Sequence, residues 1–182
     1  MTILTVGLSQ RKGTDVLIKA LPAIVAELPE ACLVIVGSGP RLASSFIDLA
    51  KSLNVFEKTT FLHDLSKEEL AELYQNCDVF VMTPRYIDDT FEGYGLVYLE
   101  AGSYKKPVVG SLSGGVPEAV IDGQTGLLVP ENDPQATAEA IIKILKNPEL
   151  AKKLGDNGYR LAQERNWEDY IEKIIKIYKE LA

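Results

Sequence analysis

The chain has 182 residues, which suits one domain with a buried core, and its 46% hydrophobic and 25% charged residues are ordinary for a globular protein. A net charge of −7 and a sequence pI near 4.8 argue against nucleic acid as the main partner, because gripping a phosphate backbone takes an excess of Lys and Arg. No apolar stretch reaches the ~20 residues of a membrane span, and Met1 is not followed by a basic-then-apolar leader, so a cytoplasmic protein is expected.

In chain order, short apolar runs alternate with segments of helical period. The strand-like runs are Ile3–Val6, Cys32–Val36, Thr60–Leu62, Val79–Met82, Val108–Val109 and Leu127–Val129. Cys32 and Cys77 lie in or beside such runs and read as buried, reduced thiols. Between the first two runs, Val16, Leu17, Ala20, Leu21, Ile24, Val25 and Leu28 form one helical stripe. Ser66 and Glu69 have the spacing of a capping box and open a helix running to about Asn76. Strands that are apolar on both faces, alternating with helices, imply a parallel sheet covered on both sides, hence a Rossmann-like three-layer α/β/α domain of about six strands.

Beyond Val129 the pattern is helical. Asp133-Pro134 and Asn147-Pro148 each open a helix, and Asn166 caps a last one carrying Ile171, Ile174, Ile175, Tyr178 and Leu181 on one stripe. No linker or repeat divides the chain, so residues 1–182 read as one domain with a helical tail from about 134.

Ligands of open parallel sheets bind beyond the carboxyl ends of the strands, which directs attention to the loops there. The first, Gly7-Leu8-Ser9-Gln10-Arg11-Lys12-Gly13, joins a glycine turn, two cations and a helix start, a combination suited to an anion; a solvated basic turn fits it equally well. The second, Gly37-Ser38-Gly39-Pro40, lets a ligand or another loop approach but lacks the third glycine of the dinucleotide fingerprint. The richest stretch is Glu92-Gly93-Tyr94-Gly95-Leu96-Val97-Tyr98-Leu99-Glu100-Ala101. Its glycines turn into a helix that is apolar nearly all round and so expected to be buried, with Glu100 in its middle. A carboxylate there needs donors. Either Glu100 pairs with a Lys or Arg, or it accepts two ribose hydroxyls while the helix start at Gly95, Leu96 and Val97 receives a diphosphate. Five residues at about 1.5 Å rise give roughly 7–8 Å, which matches that division.

These blocks together resemble the large retaining GT-B glycosyltransferase family that includes sucrose synthase and the bacterial phosphatidylinositol mannosyltransferases. The resemblance rests on the Glu-x7-Glu spacing of Glu92 and Glu100 and on short blocks in matching order, among them Lys12-Gly13, Val36 to Pro40, Cys77 to Val81, Lys106 to Val109, Gly114 to Glu118 and Asp122 to Val129. It implies the C-terminal, donor-binding half of such an enzyme, with Lys12 on the diphosphate, Glu92 as the catalytic-side residue on the donor sugar and Glu100 on the ribose. It further implies Gly7, Gly37, Tyr94, Gly95, Leu96 and Val97 around the nucleotide, and the base near His63 to Leu65. Uridine donors, commonest in the family, make UDP-sugar the default, with no metal or other cofactor required. The family's first-loop Gly-Arg is Gly7-Leu8 here, leaving Arg11 as the candidate replacement, and Tyr104-Lys105-Lys106 replaces small residues as a surface change. The acceptor-binding N-terminal domain of a GT-B enzyme is missing from this chain, which reads as an excised half, inactive alone. A GT-B nucleotide-sugar epimerase half and a non-catalytic Rossmann module binding NAD or another nucleotide remain as alternatives.

Overall fold

In the computed structural model, which describes residues 1–37, 40–165 and 167–181, every expected strand is present within a residue or two of its sequence-based bounds. The strands are β1 (Thr2–Val6), β2 (Cys32–Val36), β3 (Thr59–Leu62), β4 (Val79–Val81), β5 (Val108–Ser111) and β6 (Gly126–Val129). They form one parallel sheet in the order β3-β2-β1-β4-β5-β6, the doubly wound order of Rossmann domains. The helices are α1 (Thr14–Glu27), α2 (Pro40–Ser52), α3 (Lys67–Asn76), α4 (Leu96–Ser103), α5 (Val116–Ala119), α6 (Pro134–Leu145), α7 (Pro148–Glu164) and α8 (Trp167–Leu181), with a 3₁₀ turn at Phe56–Lys58.

Strand alternation sorts the core into two layers. Ile3, Leu33, Ile35, Val79, Val81 and Val109 pack with α1 and α6 residues such as Leu17, Leu21, Ile24, Ile141 and Ile144. Leu4, Val36, Phe80, Met82 and Val108 face Tyr74 of α3, Tyr98 and Ala101 of α4, and Val116 and Ala119 of α5. The caps form as their residue types require. Ser66 and Glu69 complete a capping box, Asp133 accepts from Ala136 N, and Asn147 accepts from Leu150 N. Cys77 is buried, Cys32 is half-buried, and both are free thiols. The expected Asn166 cap and the Ser38-Gly39 part of the second glycine turn lie outside the described residues.

On α8, Ile171, Ile175, Tyr178 and Leu181 of the apolar stripe are exposed. One expectation is corrected: Tyr104 is not a surface change, since its ring stacks on buried Tyr74 with centroids 5.6 Å apart. There α7 comes close to the turn, for a Cβ on Gly155 would stand 2.0 Å from the Lys105 carbonyl oxygen.

The chain order reverses between β1 and β4, so the loops leaving these two strands face each other across the crevice of the switch point.

Candidate functional site

The first wall of the crevice is the loop after β1. Gly7 has φ 116°, and its N–H closes onto Val36 O at 2.8 Å. The turn holds itself together through polar side chains. Thr14 Oγ1 donates to Gly7 O (3.1 Å) and accepts from Ser9 N (3.1 Å), while Lys12 N donates to Ser9 Oγ (3.1 Å). Gly13, at φ 76°, is the N-terminal cap of α1 and lies so close to β4 that a Cβ there would stand 2.0 Å from Thr83 O. Only glycine satisfies both the left-handed backbone and the contact. The packing fixes where Lys12 and Arg11 emerge.

The second wall is the segment from Arg85 to α4. Arg11 closes its base: Arg85 N donates to Arg11 O (3.0 Å), and Arg11 Nη1 donates to Phe91 O (3.2 Å). Arg85 Nη2 lies 3.1 Å from Asp15 Oδ1 on α1, and its Nη1 donates to Asn132 Oδ1 (2.8 Å). Asp88 and Asp89 occupy the exposed tip. The Glu92 carboxylate then meets both cations of the first wall, with Oε2 2.7 Å from Lys12 Nζ and 3.1 Å from Arg11 Nη1. Its carbonyl accepts from Gly115 N (3.1 Å), in a turn so tight that a Cβ on Gly115 would fall 1.7 Å from Gly93 O.

Gly95, at φ 82°, caps α4. The helix is held on the sheet by Tyr98, whose hydroxyl donates to Met82 O (2.6 Å); burial, reinforced by the nearby Glu92 charge, pushes that phenol well above its usual pKa. The expectation that α4 is enclosed nearly all round does not hold. Leu96 is 52% exposed, Val97 is half-buried and Glu100 is exposed, because one flank of the short helix lines the open crevice. The Glu100 carboxylate has no Lys or Arg partner among the described residues; instead it accepts from Tyr74 Oη at 2.9 Å. Burial first, and the Glu100 charge second, raise the Tyr74 pKa far above its usual value. Tyr94 is half-buried, and its hydroxyl is enclosed without a partner among the described residues.

Of the remaining predicted residues, Gly37 donates its N–H to Leu62 O (3.0 Å) and sits against Leu8. His63 is exposed, with Nδ1 2.9 Å from Asp64 Oδ2, and Leu65 packs half-buried behind it, so both stand beyond β3 rather than between the two walls. Arg11, Lys12 and Glu92 form one cluster. Sequence reasoning missed Tyr74, which bonds Glu100, and the Arg85–Asp15 pair, which anchors the second wall on α1. Their partners are remote in sequence, and no spacing announces them.

A family model described as "Glycosyl transferases group 1" matches residues 2–161. The GDP-mannose-dependent alpha-(1-6)-phosphatidylinositol monomannoside mannosyltransferase of Mycolicibacterium smegmatis is 39% identical over 160 residues, covering 87% of this chain and 41% of the relative. A D-inositol 3-phosphate glycosyltransferase of Corynebacterium diphtheriae is 34% identical, covering 96% of this chain and 41% of the relative. Among solved structures, a sucrose-phosphate synthase from Thermosynechococcus elongatus superimposes with TM-score 0.84 at 34% identity, covering 99% of this chain and 45% of that one. The C-terminal domain of a group 1 glycosyl transferase from Francisella tularensis superimposes with TM-score 0.79 at 25% identity, covering 90% of this chain and 85% of that one. The chain thus spans about two fifths of the length of these curated relatives.

Proposed function

Since this chain belongs to the glycosyl transferases group 1 family, we propose that it is the nucleotide-sugar donor domain of a retaining glycosyltransferase, which transfers a hexose once a second, acceptor-binding domain closes over the crevice. The observation that carries this reading is the meeting of Lys12, Arg11 and Glu92 at the sheet's switch point, with the start of α4 and Glu100 on the same segment. Lys12 and Arg11 take the diphosphate, joined by the partial positive charge at the start of α4. Glu100, aimed by Tyr74, accepts the ribose hydroxyls, and Glu92 meets the hydroxyls of the sugar. Bond cleavage leaves its negative charge on the diphosphate, where preorganised cations lower the barrier. Two side-chain cations can neutralise that charge, so the reading requires no divalent metal.

GDP-mannose is the first donor to test, because the relatives 39% and 36% identical carry that dependence in their names; UDP-sugars are the second. The experiment is isothermal titration of the purified chain with GDP, UDP, ADP and NAD, each in EDTA and again in Mg²⁺. GDP or UDP should bind equally well in both. Binding of NAD alone would favour a dinucleotide module, and affinity that disappears in EDTA would remove the metal-free part of the proposal.

A further inference from the structure

Resting on the donor-site reading, we propose that Glu92 makes the site discriminate an intact nucleotide-sugar from the bare nucleoside diphosphate that remains after transfer. The two cations proposed for the diphosphate are held by an internal anion. Lys12 Nζ and Arg11 Nη1 lie 2.7 and 3.1 Å from the same oxygen, Glu92 Oε2. An incoming diphosphate therefore competes with Glu92 for them.

Glu92 has little room to withdraw. Its side chain is only 12% exposed. Its carbonyl is bonded to Gly115 N at 3.1 Å, and a Cβ on Gly114 would stand 2.2 Å from that same oxygen, so the backbone is wedged against the turn. When phosphate oxygens draw Lys12 and Arg11 away, the carboxylate loses the partners it has among the described residues. A largely enclosed carboxylate without donors is costly, and a second anion beside it adds repulsion.

The two ligands differ in what they return. An intact donor carries sugar hydroxyls that can donate to the vacated carboxylate and offset that cost. A nucleoside diphosphate carries none. Glu92 thus weakens the bare diphosphate selectively, and once the sugar has left it reclaims Lys12 and Arg11 and favours product release.

The test is isothermal titration of the wild-type chain and Glu92→Gln with two pairs of ligands, GDP with GDP-mannose and UDP with UDP-glucose. Glutamine keeps the shape and removes the charge. For the pair the chain recognises, Glu92→Gln should bind the nucleoside diphosphate at least about threefold tighter and the sugar conjugate no tighter, so the preference for the conjugate falls. A Glu92→Gln affinity for the diphosphate equal to or below wild type overturns the inference while leaving the donor site standing. Failure of the wild-type chain to bind any of the four overturns the donor-site reading, and this inference with it. Should a thermal melt show Glu92→Gln unfolded, the same comparison is made on Glu92→Ala, with the same expected and overturning results.

Discussion

The Tyr74 hydroxyl on α3 donates to Glu100 Oε2 on α4 across 2.9 Å, binding an exposed carboxylate of the candidate site to a buried ring. Tyr74 is itself held between Phe80, at 5.7 Å, and Tyr104, at 5.6 Å between centroids. Tyr74→Phe keeps this stack and removes only the bond. Folding stability should fall by about 1.5–3 kcal/mol, the worth of a hydrogen bond to a charged group, as read by urea denaturation. Nucleotide affinity should fall about three- to tenfold, because Glu100 loses its orientation. Unchanged affinity would count against Glu100 as the ribose acceptor.

Glu100→Gln should show the opposite balance. The carboxylate is exposed and has no cationic partner among the described residues, so stability should change by under about 1 kcal/mol. Loss of charge-assisted bonds to two ribose hydroxyls, each worth roughly 1.5–3 kcal/mol, should weaken the nucleotide by about one to two powers of ten. A variant that melts early yet binds normally would reduce Glu100 to a structural residue.

Gly13 and Gly123 both have a left-handed backbone, at φ 76° and 68°, but only Gly13 is crowded. Alanine at Gly123 meets nothing within 4 Å and should cost about 1–2 kcal/mol, from the backbone alone. At Gly13 it would also press on Thr83 O, so the loss of stability should be clearly larger and should bring a loss of nucleotide affinity as Lys12 shifts. Equal melting temperatures for the two variants would contradict the close contact.

Arg85→Met leaves Asp15, a buried carboxylate, with Lys19 as its remaining ionic partner at 3.0 Å. Stability should drop by about 1–3 kcal/mol, since the buried carboxylate keeps only the half-exposed Lys19 ammonium. Adding Asp15→Leu should recover most of that loss, because both charges are then gone. A double variant no more stable than Arg85→Met, measured by denaturant titration, would show that the pair matters for something other than its charges.

Alkaline pH should destabilise the domain in two stages. Burial pushes the Cys77 thiol up to about 11 from an ordinary 9.0, so the unfolded chain loses its proton first and stability falls as pH rises from about 9 to 11. The slope approaches about 1.4 kcal/mol per pH unit between those values. Tyr74 and Tyr98, both raised above 10.0 by burial, extend the loss above pH 10. Cys77→Ala should remove the part of the slope that begins near pH 9, as followed by thermal melts across the range.

The layered architecture was legible because burial writes a period into the chain. Strands apolar on both faces, such as Val79–Val81, and the Ser66, Asp133 and Asn147 caps need only neighbours a few residues away to be read. The blocks around Glu92 and Glu100 also stood out, because glycines and charges gathered after a strand break the apolar period of the elements around them. The apolar face of α8 was legible as a stripe, but a stripe does not say whether anything covers it.

What the sequence by itself determined is therefore the parallel α/β layering, the family, and the loops that carry the candidate site. Tertiary structure alone decided the partners within the site. It placed Glu92 on Lys12 and Arg11 rather than in open solvent, gave Glu100 a tyrosine instead of a cation, opened one flank of α4 to the crevice, and anchored Arg85 on Asp15. The physical reason is range. Periodicity and capping are local and repeat along the chain, whereas these contacts arise where strand order reverses, between segments that the sheet brings together and whose spacing in sequence carries no trace of the meeting.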